Sequence, residues 1–302
     1  MSTQLQISLS FTGRLADRHR IDFYDVAHAM VGFQRSLALT THLVLNDEVI
    51  TKAPFLKGAE ILALPAEENG WLMNAIVVGG SALGALGIAP KDSLFGHLVY
   101  SAYDYVVSES LGFHPNYDDS LGEQYRQFRS SQKQVLPSDA PRQIERYKFD
   151  ALVEKCESSV REMHRPIVGQ GTAKIATISA RIGTKSLVIG GPLTRETFEF
   201  IDVTNRSDKV TKIAGTVSSY NLNTYKGRIF VEAEGRAVPF DLLESARDPK
   251  YTSHLADSLA ISVSRGRPLE DEAMVYCLAY RKTSKSGRLK GFDIVRVSKT
   301  RL

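Results

Sequence analysis

The chain has 302 residues, 43% of them hydrophobic and 24% charged, with a formal net charge of +4. That length suits about two domains of roughly 150 residues each, and the composition excludes wholesale disorder, collagen and coiled coil. Two cysteines, Cys156 and Cys277, are too few for a disulfide framework or a cysteine zinc site. A reducing compartment follows, and the start MSTQLQISLSFTGRL, with no basic-then-apolar leader, points to a cytoplasmic protein.

Residues 5–11 alternate apolar and polar side chains (Leu5, Ile7, Leu9, Phe11), as a half-buried strand does. A helix is predicted over 23–45, with Asp22 as its N-cap and Asp25 in its first turn. Val26, Met30, Phe33, Leu37 and Val44 are expected to form its apolar stripe. Strands at 59–64 and 71–78, joined by the polar turn 65–70, complete a β-α-β-β start typical of an α+β domain rather than a doubly wound sheet.

Residues 75–89 hold no charge, and 94–113 are apolar apart from Asp104, Glu109 and a few polar groups. A helix needs about 20 apolar residues to span a bilayer, and Pro90-Lys91-Asp92 interrupts the run. A buried strand-to-helix passage is the first expectation, and a membrane-acting hairpin over 75–113 the alternative. A short amphipathic helix is predicted at 121–132, and a longer one at 142–163. The stripe of the longer helix is Phe149, Leu152, Val153, Cys156, Val160 and Met163. Pro166 and Gly169-Gln170-Gly171 then read as a hinge. Beyond it come short β-runs at 175–182, 185–189, 197–203 and 210–218.

Charge is unevenly distributed. Residues 1–150 carry 13 Lys+Arg against 17 Asp+Glu, and residues 151–302 carry 25 against 17. A basic second half attracts polyanions. Catalytic signatures are missing: the seven histidines show no HxxxH or HExxH spacing. Asp17, His19 and Asp22 read as a capping turn. Gly169-Gln170-Gly171-Thr172 lacks the third glycine and the following helix of a dinucleotide fingerprint. No phosphate-binding GxxxxGK[ST] or nucleophile GxSxG occurs. No cofactor and no metal are expected, and both cysteines read as core.

The stretch GTVSSYNLNTYKGRIFV at 215–231 resembles the opening of the cold-shock domain, an OB-fold barrel. Gly215, Thr216, Val217, Tyr220 and Asn221 match its first strand, and Lys226, Gly227, Phe230 and Val231 its second. VPFDL at 238–242, SRGRP at 264–268 and the runs 274–281 and 292–297 match the remainder. Five short strands with glycine at tight bends suit a closed barrel. Its expected interior is Thr216, Val217, Ile229, Val231, Val238, Phe240, Val275, Cys277, Ile294 and Val297.

The resemblance implies binding of single-stranded DNA or RNA, with bases stacked on aromatics along a basic groove. Tyr220, Tyr225, Phe230 and Tyr280 would be platforms, and Lys226, Arg228, Arg281 and Lys282 phosphate partners. The chain departs from the pattern: Ser219 replaces the tryptophan, Arg228 an aromatic, and Pro239 and Asp241 a Phe and a His. The general layout also resembles uncharacterised bacterial proteins, some found beside antiviral defence genes. The expected architecture is an α+β domain over 1–165, a β-rich connecting segment over 166–208 and an OB-like barrel over 209–302. The expected function is non-enzymatic binding of nucleic acid or a nucleoprotein, with a protein-docking scaffold as a further alternative.

Overall fold

A computed structural model describes residues 5–64, 71–79, 94–113, 144, 146–182, 185–265, 271–284 and 287–301. The chain divides into two compact units, Met1–Asp202 and Val203–Leu302, and the fold is mixed α+β.

The first unit is built on a five-stranded antiparallel sheet. Its strands are β1 (Leu5–Thr12), β2 (Ala59–Leu64), β3 (Trp71–Gly79), β4 (Ile175–Ile182) and β5 (Lys185–Leu193), in the order β2-β3-β1-β4-β5. The central strand β1 sets Ile7 opposite Ala75 of β3 and Ala180 of β4. Its alternation is the predicted one, with Leu5, Ile7, Leu9 and Phe11 all buried. Ser8, also buried, donates to Asn74 Oδ1 at 2.6 Å, so its hydroxyl is satisfied across the ladder.

Three long helices complete this core: α1 (Phe23–Asn46), α2 (Leu94–Ser110) and α3 (Arg146–Met163). Asp22 caps α1 as expected, accepting from the Asp25 amide at 3.0 Å. The six stripe residues of α3 are all buried. On α1, Val26, Phe33, Leu37 and Val44 are buried, but Met30 is 44% exposed. The packed face runs through Ala29, Ser36 and Thr40 instead, and Met30 follows Ala29 by a 100° step out of it. The helix predicted at 121–132 lies outside the described residues.

Residues 166–208 do not form a separate connector. After the short helix α4 (Arg165–Val168), β4 pairs with β1, and β5 pairs with β4. Pro166 and Gly169-Gln170-Gly171 therefore turn the chain within the first unit. Gly169 packs so closely on the Asp25 carboxylate that a Cβ would fall 2.5 Å from Oδ2. The Gln170 amide donates to the same oxygen at 2.8 Å. The run 197–203, expected as a strand, lies largely in the helix α5 (Arg195–Asp202). The Thr194 hydroxyl accepts from the Thr197 amide at 3.3 Å, a local cap that overrides the strand-like spacing of Phe198 and Phe200.

The second unit is a closed barrel of β6 (Asn205–Asn221), β7 (Lys226–Val231), β8 (Arg236–Leu242), β9 (Met274–Thr283) and β10 (Leu289–Ser298). Its order is β10-β8-β7-β6-β9. Only the β8–β10 contact is parallel; it sets Phe240 opposite Phe292. All ten residues expected inside are buried. A helix not anticipated from the sequence, α6 (Pro249–Arg265), links β8 to β9. Its buried Ser258 accepts from the Val217 amide at 2.9 Å and donates to Ala273 O at 2.5 Å. It thus supplies a partner to a backbone N–H beside the register shift in β6. Among the described residues, no helix is long and apolar enough to cross a membrane.

Candidate functional site

The hairpin joining β6 to β7 turns on Asn221, whose side chain accepts from the amides of Asn223 (2.9 Å) and Thr224 (3.3 Å). Tyr225 closes the turn in the left-handed region, at φ 57°. Its carbonyl accepts from the Leu242 amide at 2.9 Å, which ties the turn to the end of β8. The Arg247 guanidinium lies 4.8 Å from the Tyr225 ring centroid. Tyr220 stacks on the buried Phe240 with ring centroids 6.1 Å apart. Burial raises the pKa of Tyr220, and nearby Tyr225 adds to that rise.

From this turn a row of alternating charges runs across the strands. Lys226 on β7 lies 3.9 Å from Asp241 on β8. Asp241 also binds Lys282 on β9, which reaches Asp293 on β10 at 3.1 Å. Asp293 lies 3.8 Å from Arg206 on β6, and the Arg206 guanidinium covers the Tyr280 ring at 4.5 Å. Two lysines and an arginine thus share two carboxylates, and the lysine between those carboxylates is only 19% exposed. Charged groups in such a row hold one another's geometry, and neither lysine presents an isolated cation.

The eight residues singled out in the sequence are distributed as follows. Lys226, Lys282 and Tyr280 belong to the row, and Tyr225 stands at its hairpin end beside Tyr220. Arg281 bonds Glu234 at 3.1 Å, in the turn between β7 and β8. Phe230 is half-buried, and Arg228 is only 7% exposed. Strand alternation sets Lys226, Arg228 and Phe230 on the outer face of β7, opposite buried Ile229 and Val231. Burial makes Arg228 a poor direct phosphate contact.

Sequence reasoning missed Asp293, Arg206 and Arg247, and read Asp241 only as a departure from a pattern. One signal was available: Asp241 and Asp293 each interrupt an apolar run at a position facing out of the barrel.

In the first unit two clefts accompany buried polar groups. One of about 340 Å³ is lined by His42, Glu48, Ile50, Pro54, Phe55, Leu56 and Lys57. Another of about 290 Å³ is lined by Arg161, Glu162, Arg165, Val168, Gly169, Phe198 and Asp202. No group of three or more metal-ligating side chains occurs among the described residues. Both cysteines are buried and unbridged, and burial pushes each thiol up to about 12.

These features define a two-unit α+β protein whose C-terminal part is a closed five-stranded barrel. The chain belongs to the family of a domain of unknown function, DUF7946, whose model matches residues 7–201. A second family of unknown function, DUF7947, matches residues 209–298. The two matches flank the break between the compact units at Asp202 and Val203. No curated protein and no solved structure matches the chain.

Proposed function

We propose that the protein is a non-enzymatic binding protein whose barrel takes up single-stranded nucleic acid, free or within a nucleoprotein. The observation that carries this reading is the wiring of the second unit. Strands one, two, three, five and four follow one another around the barrel, the third and fifth run parallel, and a helix sits between the third and fourth. That wiring supports an OB-fold reading, in which the second and third strands and the flanking hairpin loops receive oligonucleotides. Lys226 and Tyr225 stand at the start of the second strand. Lys282 and Tyr280 stand on the fourth, with Lys282 bound to Asp241 of the third, and both tyrosines lie beside an arginine. The second unit as a whole has 18 Lys+Arg against 11 Asp+Glu, a field that draws in a polyanion. The bacterial and defence-linked setting rests on the resemblance of layout, and the cytoplasmic one on the sparse cysteine usage.

The test is fluorescence anisotropy of the full chain with labelled single-stranded DNA, single-stranded RNA and duplex at two salt concentrations. Single strands are expected to bind with a log–log salt slope of about −0.7 per phosphate contacted. No binding at low salt, or binding indifferent to salt, would overturn the reading.

A second reading, a protein-docking scaffold, is favoured by one surface of α1. Phe23 (85% exposed), Tyr24, Met30 and Val31 (65%) leave apolar side chains exposed outside its packed face, and contiguous exposed apolar surface marks interaction sites. A second copy of this chain is the first partner to test. Sedimentation should detect an association that Phe23→Glu and Val31→Glu abolish, and a wild-type monomer removes that form of the reading.

A further inference from the structure

His42 lies in the last turns of α1 with its side chain wholly buried. Its Nδ1 accepts from the Lys57 backbone amide at 3.1 Å, so the ring proton sits on Nε2. Asn46 braces the same corner, donating to His42 O at 3.2 Å and to Lys57 O at 3.0 Å. The Nε2–H group has no hydrogen-bond partner among the described residues. The Glu48 carboxylate stands 3.7 Å away, beyond bonding distance, on a side chain 66% exposed. A buried donor without an acceptor is a cost that a folded chain rarely leaves standing.

The surroundings describe what would complete it. His42 and Glu48 line the cleft of about 340 Å³, whose apolar walls are Ile50, Pro54, Leu56 and Phe55. Phe55 is 55% exposed, so an aromatic face is open at the mouth. Lys57 supplies a cation at the rim. A ligand would thus meet a neutral N–H donor, a carboxylate able to swing off it, a flat apolar surface and one ammonium group. Burial lowers the pKa of His42, partly offset by Glu48, which keeps the imidazole a donor rather than a charge.

We infer that this cleft binds a purine mononucleotide. A ring acceptor takes the His42 Nε2–H, the exocyclic amine meets Glu48, the base lies against Phe55, and the phosphate pairs with Lys57. A cleft of about 340 Å³ stands at the small end of ligand sites, which run from roughly 300 to 1,000 Å³. That size suits one nucleotide and not a polymer. The site lies in the first unit and does not depend on nucleic-acid binding by the barrel.

The test is titration of the full chain with AMP and with GMP, read on the His42 imidazole by long-range ¹H–¹⁵N correlation. One of the two should move the Nε2–H resonance at concentrations up to about 1 mM. Glu48→Gln and Phe55→Ala, both at exposed side chains, should each weaken that binding about tenfold. The inference is overturned if neither nucleotide moves the resonance, if inorganic phosphate moves it equally, or if both variants bind as the wild type does. Nucleotide uptake by the barrel is distinguished because Lys282→Ala should leave the His42 response unchanged.

Discussion

Lys282 on β9 reaches Asp293 on β10 at 3.1 Å, with both side chains largely withdrawn from water. Asp241 binds the same ammonium. The lysine that the sequence offered as a phosphate partner is therefore already answered by two carboxylates. A nucleic acid that contacts it competes with them. Asp293→Asn and Asp241→Asn should each tighten single-strand binding and steepen the salt slope by up to about 0.7, the increment for one phosphate contact. Lys282→Ala should do the reverse. Unchanged affinity and slope in all three variants, measured by anisotropy, would remove Lys282 from the interface.

Gly215 and Gly227 are required by the walls of the barrel. A Cβ on Gly227 would meet the Ser219 carbonyl and the Phe240 ring, and one on Gly215 the Phe230 carbonyl. Backbone atoms cannot give way as a side-chain end can. Gly227→Ala should cost about 1–3 kcal/mol, the range for overpacking a filled core. Urea melts followed by tyrosine near-UV circular dichroism would read this cost. An unshifted midpoint would mean that the β6–β7 pair opens without penalty.

Both glycines were legible because the GTV and KG stretches put them at fixed places in a strand pair. The strands of the first unit were legible for a related reason: Leu5, Ile7, Leu9 and Phe11 repeat with the two-residue period of the pleat. Misreadings arose where two periods coincide or where a local cap decides. Phe198 and Phe200 alternate like a strand, yet the Thr194 cap commits them to a helix. Helix α6 begins at Asp248-Pro249, a start signal in its own right: Asp248 accepts from the Lys250 amide at 2.8 Å, and Pro249 occupies the first helical position. The resemblance to a barrel without that helix drew attention away from it. The ion row was beyond local reading, since Lys282 and Asp241 stand 41 residues apart. So was the His42 corner, which needs a backbone amide 15 residues away.

Arginines cover the two candidate stacking platforms of the barrel that lie at its charged row. Arg206 lies over Tyr280 and Arg247 over Tyr225, at 4.5 and 4.8 Å. A base can stack on the guanidinium or replace it. Tyr280→Ala and Tyr225→Ala should each weaken single-strand binding by about 1–3 kcal/mol, the worth of one stacked base. Because stacking is not ionic, the salt slope should stay where it was. Loss of slope without loss of affinity at low salt would argue against stacking at these rings.

His164 supplies a pH dependence in the first unit. Its buried imidazole has Nδ1 2.8 Å from Val160 O and Nε2 2.9 Å from the Thr197 hydroxyl. The carbonyl only accepts, so the proton is on Nδ1 and Nε2 accepts from Thr197. Burial pushes the pKa down to about 4, against a partial upward pull from the Val160 carbonyl. The unfolded chain takes up this proton near pH 6.5, and the folded chain not until about 4. The contribution is complete above pH 6.5 and is lost as pH falls toward 4, by roughly 3 kcal/mol at 1.36 kcal/mol per unit. Asp104, raised by burial, works in the opposite direction, so the comparison must be between variants. Urea midpoints read by the fluorescence of Trp71, the chain's single tryptophan, should fall between pH 7 and pH 4.5 more steeply in the wild type than in His164→Gln. Parallel pH profiles for the two proteins would show that His164 is protonated in the native state without penalty.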